Sequence, residues 1–291
     1  MPDVSPKVSI DAGAKPHDPG LYREEVVCEA VCDPDAITDN DVKTYYDQGF
    51  LVVASAIGDR LIAEAIDALH DLIALRVKGF SPLDLHVEAD AAKRYGAMTV
   101  TEQRNAVRKV CQFVGHDRRM ADLAAHPNLQ GIAGRLLGGQ AALIQDMALL
   151  KPPHHGREKP WHQDHAYFNY PLTTRVVGVW IALDPAHADN GCMHVLPGWH
   201  RRGPLVHFNR RDWQICDTTI LGRTEGRCAA IPMAPGSALF FDSLLPHGTP
   251  TNASSHRRRA LQFHYVRNDA VGWDQQKRLA IFGSEGKDVT C

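Results

Sequence analysis

At 291 residues, with 44% hydrophobic and 23% charged residues, the chain can bury one large core or two small ones and is too apolar for wholesale disorder. A formal charge of -2 excludes a basic field that would attract nucleic acid or anionic lipid, so the expected partner is a small-molecule substrate. Seven cysteines (Cys28, Cys32, Cys111, Cys192, Cys216, Cys228, Cys291), odd in number and without a C-x-x-C pair, point to reduced thiols in a cytoplasmic protein, not to a disulfide framework or structural zinc.

No N-terminal stretch joins a charged start to an apolar run, and no apolar run reaches the roughly 18 residues of a membrane span. Neither export nor membrane insertion is expected, and the sequence carries no signature of an oligomeric state. Residues 1–35, rich in Pro, Asp and Gly without apolar periodicity, read as a loosely structured arm. Residues 36–291 show no internal repeat and no linker, and read as one folded unit.

Within that unit, Thr38 is the expected N-cap of a short helix stopping near Gly49, followed by a strand from Phe50 to Val53. Leu61, Ile62, Ala65, Ile66, Leu69, Leu72 and Ile73 recur at three- and four-residue spacing, which predicts an amphipathic helix ending near Gly79. His70 lies beside that stripe with no partner at ligand spacing and reads as a surface or packed helix residue. A further helix is predicted over about Arg119–Leu137, closing at Gly138-Gly139.

From there the texture changes. "AALIQDMALLK", "RVVGVWIALD", "CMHVLPG", "GPLVHF", "CAAIPM", "SALFFDS" and "RALQFHYV" follow one another, separated by Pro, Gly and Asn. Short strands with turn signals and no intervening helices predict a sandwich or barrel of antiparallel strands. The fold class expected is mainly β with flanking helices, a helical front half packed on a double-stranded-β core.

"KPWHQDHAYFNYP" holds the candidate site. His162 and Asp164 stand two apart, a spacing that in a strand points both side chains to one face. With 16 histidines an H-x-D triplet is expected by chance, and the chain also carries His187-Ala188-Asp189 and His86-Val87-Glu88. A mononuclear iron that activates oxygen needs two histidines and one carboxylate on one face, and His247, at the end of an apolar strand in "FFDSLLPHGTPTN", offers the third ligand. Downstream, "SSHRRRALQFHYV" starts a strand with three arginines, and alternation turns the middle one, Arg258, away from its neighbours and inward. An inward arginine beside iron is a bidentate partner for a dicarboxylate.

The set "HQD", "VWIALDPAHADNGCMHVLPGWH", "GSALFFDSLLPHGTPTN" and "RRRALQFHY" resembles the phytanoyl-CoA dioxygenase family of iron(II)- and 2-oxoglutarate-dependent oxygenases, over roughly Thr38 to the C-terminus. The resemblance implies a jelly-roll, cupin-like core, making residues 36–291 a single dioxygenase domain. It also implies that His162, Asp164 and His247 carry Fe(II) and Arg258 the cosubstrate 2-oxoglutarate, with O2 as oxidant and ascorbate in support. By the same resemblance, "RKVCQF" points to Lys109, "DMALLKPP" to Met147 and "VVGVWIALD" to Trp180 as walls of the cosubstrate pocket, and His187-Ala188-Asp189 falls in a surface loop. The implied activity is hydroxylation of an unactivated C–H bond with release of succinate and CO2. Asp164 favours that outcome over chlorination, because relatives that chlorinate have a small residue in its place. The chain closes on "DVTC", without a peroxisomal address of the S-K-L kind. Two other readings stay open: a cupin-like isomerase or hydrolase that does not use O2, which has no need of Arg258, and a non-catalytic binding module, against which the intact ligand set argues.

Overall fold

A computed structural model describes residues 6–8, 17–24, 26–28, 34, 37–209, 213–215 and 228–287. Its strands are β1 (Lys7–Val8), β2 (Val26–Val27), β3 (Phe50–Val53), β4 (Leu85–Val87), β5 (Val107–Cys111), β6 (Ala141–Lys151), β7 (Lys159–His162), β8 (Val176–Ala182), β9 (Met193–Val195), β10 (His207–Asn209), β11 (Trp213–Ile215), β12 (Ala229–Ile231), β13 (Ala238–Asp242), β14 (His247–Thr249) and β15 (Arg258–Arg267). Eight of them form one sheet, in the order β1-β4-β5-β6-β15-β8-β13-β3, and five form a second, β2-β12-β9-β14-β7, while β10 and β11 make a hairpin. The two sheets face each other as a jelly roll, and all pairings are antiparallel except those of β1 and β2.

Period-two alternation sorts the large sheet into two faces. Trp180, Leu239, Phe241 and Ala260 pack inward against Met193, Val195, Ala229 and Ile231 of the small sheet. Val179, Phe240, Leu261 and Phe263, one residue out of phase, bury instead against the helices. Those helices include Asp39–Gln48, capped by Thr38 and ended by Gly49 in the left-handed conformation, and the amphipathic Asp59–Ile73, which presents Ile62, Ala65, Leu69 and Leu72 to the sheet. The second stops before the expected Gly79, because Ala74 caps it and Leu75 turns to φ 55°, where a helix cannot continue. The single helix expected over Arg119–Leu137 is two, Arg118–Ala124 and Pro127–Leu137. Pro127 is the cause: it disfavours helix at His126 but suits the first position of a new helix.

Parts of the first 35 residues extend the barrel. β1 lies beside β4, β2 lies beside β12, and Leu21 and Tyr22 are buried. Cys28 and Cys192 are free thiols, while Cys32, Cys216 and Cys291 lie outside the described residues. Among the described residues no helix is long and apolar enough to cross a membrane.

Candidate metal centre

β7 and β14 pair with His162 directly opposite His247, which brings their rings to 4.2 Å between centroids. β7 ends at His162, and Asp164 opens a 3-10 turn, Asp164–Tyr167, so the pair straddles a strand end where a continuous strand was expected. The turn still swings the carboxylate onto the histidines: Asp164 Oδ1 lies 3.2 Å from His162 Nε2 and 3.6 Å from His247 Nε2. All three residues are buried, and their donor atoms lie within 4.8 Å of one another.

The backbone selects the tautomers. His162 Nδ1 donates to the Pro160 carbonyl at 2.8 Å and His247 Nδ1 to the Leu245 carbonyl at 3.0 Å. Each Nε2 is thereby left with its lone pair facing the carboxylate, as a metal ligand requires. Burial, reinforced by the neighbouring His162, pushes His247 down to about 3 and keeps it neutral. Burial alone would raise the Asp164 carboxyl, but the surrounding His247 and His264, the second through a hydrogen bond to Oδ2, hold it well below the usual carboxylate range. Two imidazole nitrogens and one carboxylate oxygen, converging from one side, form the donor set that suits Fe(II) with positions left open.

The other carboxylate oxygen is held separately. His264 Nε2 stands 2.7 Å from Asp164 Oδ2, and Gln262 Nε2 donates to the same oxygen at 3.0 Å. Both side chains are buried on β15, and they orient Oδ1 toward the histidines. Phe241 backs the site at 4.8 Å from the His247 ring, lying over Gly178, where a Cβ would meet the Phe241 ring at 2.3 Å. Gln163, between the two candidate ligands, points away from them: its amide donates to the Gly203 and Leu244 carbonyls, and its Oε1 accepts from Leu205 N–H.

On the same face of β15 as Gln262 and His264, Arg258 is 1% exposed. Its Nη1 donates to the Leu149 carbonyl at 3.1 Å, its Nε has no hydrogen-bond partner, and among the described residues no carboxylate pairs with it. Arg257 and Arg259 point elsewhere. Arg257 binds Asn105 and the Arg104 carbonyl, and Arg259 grips Asp184 at 2.9 and 2.7 Å. Trp180 lies inside with its ring 5.4 Å from the Arg258 guanidinium, and its indole Nε1 is also without a partner. Met147 faces Gln262 across β6 and β15, and Lys109 on β5 faces Leu149 on the adjoining strand. A buried, unpaired guanidinium beside an unsatisfied indole N–H fits the distal carboxylate of 2-oxoglutarate, since a buried cation is stable only when paired.

Among the described residues, the other triplets do not converge on a third ligand. His187 and Asp189 are exposed, His187 at the N-cap of a 3-10 turn and Asp189 within it. His86 lies opposite Lys109, and Glu88 is taken by Arg108 and Arg157. His70 packs against Arg259 Nη1. Sequence reasoning passed over Gln262 and His264, although the alternation that turned Arg258 inward turns residues 262 and 264 inward as well.

Residues 45–260 match the family model described as phytanoyl-CoA dioxygenase. The chain is similar to the peroxisomal phytanoyl-CoA dioxygenase of Bos taurus, at 28% identity over 77% of this chain and 67% of that protein, and to the Homo sapiens protein of that name, at 26% over 81% and 70%. Among solved structures it is similar to EvdO2 from Micromonospora carbonacea var. aurantiaca complexed with 2-oxoglutarate, at 25% identity and a TM-score of 0.60 over 84% of this chain and 96% of that one. The fold is shared with the non-heme alpha ketoglutarate dependent carbocyclase SnoK, at 20% identity and a TM-score of 0.66, over 87% of this chain and 93% of that one.

Proposed function

Since the chain belongs to the phytanoyl-CoA dioxygenase family, a family of 2-oxoglutarate-dependent non-haem iron oxygenases, we propose that it hydroxylates an unactivated C–H bond of a small polar or anionic molecule. Succinate and CO2 are the coproducts. In this reading His162, Asp164 and His247 hold Fe(II), and Arg258, Lys109, Trp180 and Met147 hold 2-oxoglutarate within a catalytic unit of residues 36–291. The observation that carries it is the buried two-histidine, one-carboxylate cluster on the same inner face as a buried arginine that lacks a carboxylate partner.

When bound, iron(II), 2-oxoglutarate and O2 supply the oxidising power, with ascorbate as a supporting reductant. The chain's own residues bind, orient and exclude water. The Pro160 and Leu245 carbonyls keep both Nδ1 protons on the outer side of the rings, so the inward Nε2 atoms are the ones turned toward the metal position. Gln262 and His264 keep one Asp164 oxygen occupied and leave the other for the metal. Arg258 sets the direction of a dicarboxylate through its planar fork. Asp164 keeps a charged oxygen where a halide would otherwise enter, which favours hydroxylation over halogenation. The outer pocket is assigned to residues 84–104, 165–175 and 209–227, which mix Arg, His, Tyr and Asn; within the last, residues 210–212 and 216–227 lie outside the described residues.

The test is aerobic incubation with Fe(II), ascorbate and 2-oxoglutarate against a panel of polar and anionic metabolites, reading succinate. Substrate-stimulated succinate that vanishes in His162→Ala and His247→Ala is the expected result. Near-wild-type turnover in His247→Ala would remove the assignment.

A further inference from the structure

Tyr22 and Leu21 precede the stretch that matches the family model, which starts at residue 45, yet both reach the strands that carry the two histidines. Trp161, the neighbour of His162, is fully buried, donates its indole N–H to the Leu21 carbonyl at 2.8 Å, and stacks on the Tyr22 ring at 5.5 Å with an interplanar angle of 13°. The Tyr22 hydroxyl proton is shared between Glu158 Oε1 at 2.8 Å and the Lys159 carbonyl at 3.1 Å. Gly248, the neighbour of His247, lies so close beneath that a Cβ there would stand 3.0 Å from the Tyr22 hydroxyl oxygen. One side chain therefore rests against the residues adjoining both candidate histidine ligands.

What it rests on is the irregular part of the ladder. β14 and β7 pair His247 with His162 but Thr249 with Lys159, so β7 carries one residue more than β14 across the same span. Pro160 lies inside that bulge and has no N–H to give the ladder. Its carbonyl is the acceptor that orients His162. Strand pairing alone leaves such a segment weakly specified, and a slip of one residue would turn His162 to the opposite face. The arm supplies the missing constraint. It is anchored in turn by β2 on β12 and by the Cys28 N–H on the Ala230 carbonyl at 2.9 Å.

We propose that Tyr22, seated through Leu21, is a positioning residue for the metal centre, pinning the β7 bulge so that Pro160 and His162 stay in register with His247. This rests on His162, Asp164 and His247 being the ligands. Full-length wild type, Tyr22→Ala and Tyr22→Phe are titrated anaerobically with Co(II), without 2-oxoglutarate. The visible Co(II) absorption is recorded, together with amide exchange over residues 159–162 and thermal unfolding of the metal-free proteins. Tyr22→Ala is expected to unfold cooperatively, bind Co(II) roughly 10–100-fold more weakly, show an altered absorption band and exchange faster at residues 159–162. Tyr22→Phe, which keeps the stack, is expected to lose no more than about threefold. If Tyr22→Ala does not fold, Tyr22→Leu takes its place under the same criterion. Wild-type Co(II) affinity and spectrum in the folded Ala or Leu variant overturn the role of Tyr22 alone. A wild-type protein that binds no Co(II) overturns the ligand assignment and this inference together.

Discussion

Replacing Arg258 by Met tests whether this guanidinium is kept for a ligand or for the fold. Burial lowers it from its ordinary 12.5 to about 10, which at 1.36 kcal/mol per decade is a penalty of about 3 kcal/mol on the charged form. Both folded and unfolded chains hold the proton at neutral pH, so the penalty is present in full there and is relieved only as pH rises through 10. Against it stand the charge-assisted bond to the Leu149 carbonyl, about 1.5–3 kcal/mol, and the cation over the Trp180 ring, roughly 0.5–2 kcal/mol. These terms nearly cancel. Arg258→Met should therefore leave the metal-free protein within about 1 kcal/mol of wild type, a few degrees at most in Tm, whereas breaking a buried ion pair costs about 3–5 kcal/mol. The same change should weaken 2-oxoglutarate binding by about 2–5 kcal/mol, or roughly 30-fold to several-thousand-fold. Thermal unfolding with Mn(II), across a 2-oxoglutarate series, reads both quantities, because a ligand of the folded state raises Tm with its concentration. A loss of more than about 3 kcal/mol in the metal-free variant, or an unchanged dependence of Tm on 2-oxoglutarate, would refute the reasoning.

Gln262→Leu removes a charge-assisted donor from Asp164 Oδ2 and should weaken metal binding about 10–100-fold in an Fe(II) or Co(II) titration, with the fold still cooperative. Asp164→Gly should lose iron and turnover without gaining chlorination; mass spectrometry of products formed in high chloride checks this once a substrate is known. His187→Ala, at an exposed turn, should leave metal stoichiometry and succinate formation unchanged, and iron loss there would mean that the wrong triplet was chosen. Burial pushes His207 down to about 3, so the folded state binds one proton fewer than the unfolded chain between about pH 6.5 and 3. Stability should fall by about 1.4 kcal/mol per pH unit as pH drops through that window, and His207→Gln should flatten the slope by close to one proton in a series of Tm against pH.

Local chemistry was enough to place several features in advance. Thr38 and Gly49 bound the first long helix through a capping hydroxyl and a left-handed turn, both properties of single residues. The alternation in "RRRALQFHY" turned Arg258 inward, because side chains on a strand change face at every step whatever the strand packs against. The break at Pro127 was equally legible and was overlooked under a strong helical period. What local spacing could not decide was which of three histidine–acid triplets acquires a third ligand; only the family resemblance pointed to His162 and Asp164. That choice depends on β14 pairing with β7 at one register, a contact between distant segments that no local spacing encodes. The same holds for Tyr22, which reads as part of a Pro- and Gly-rich arm and becomes a support for the ligand strand only where the bulge at Pro160 leaves it something to hold. Spacing determines the direction in which a side chain points, whereas pairing determines what it meets, and a metal centre requires both.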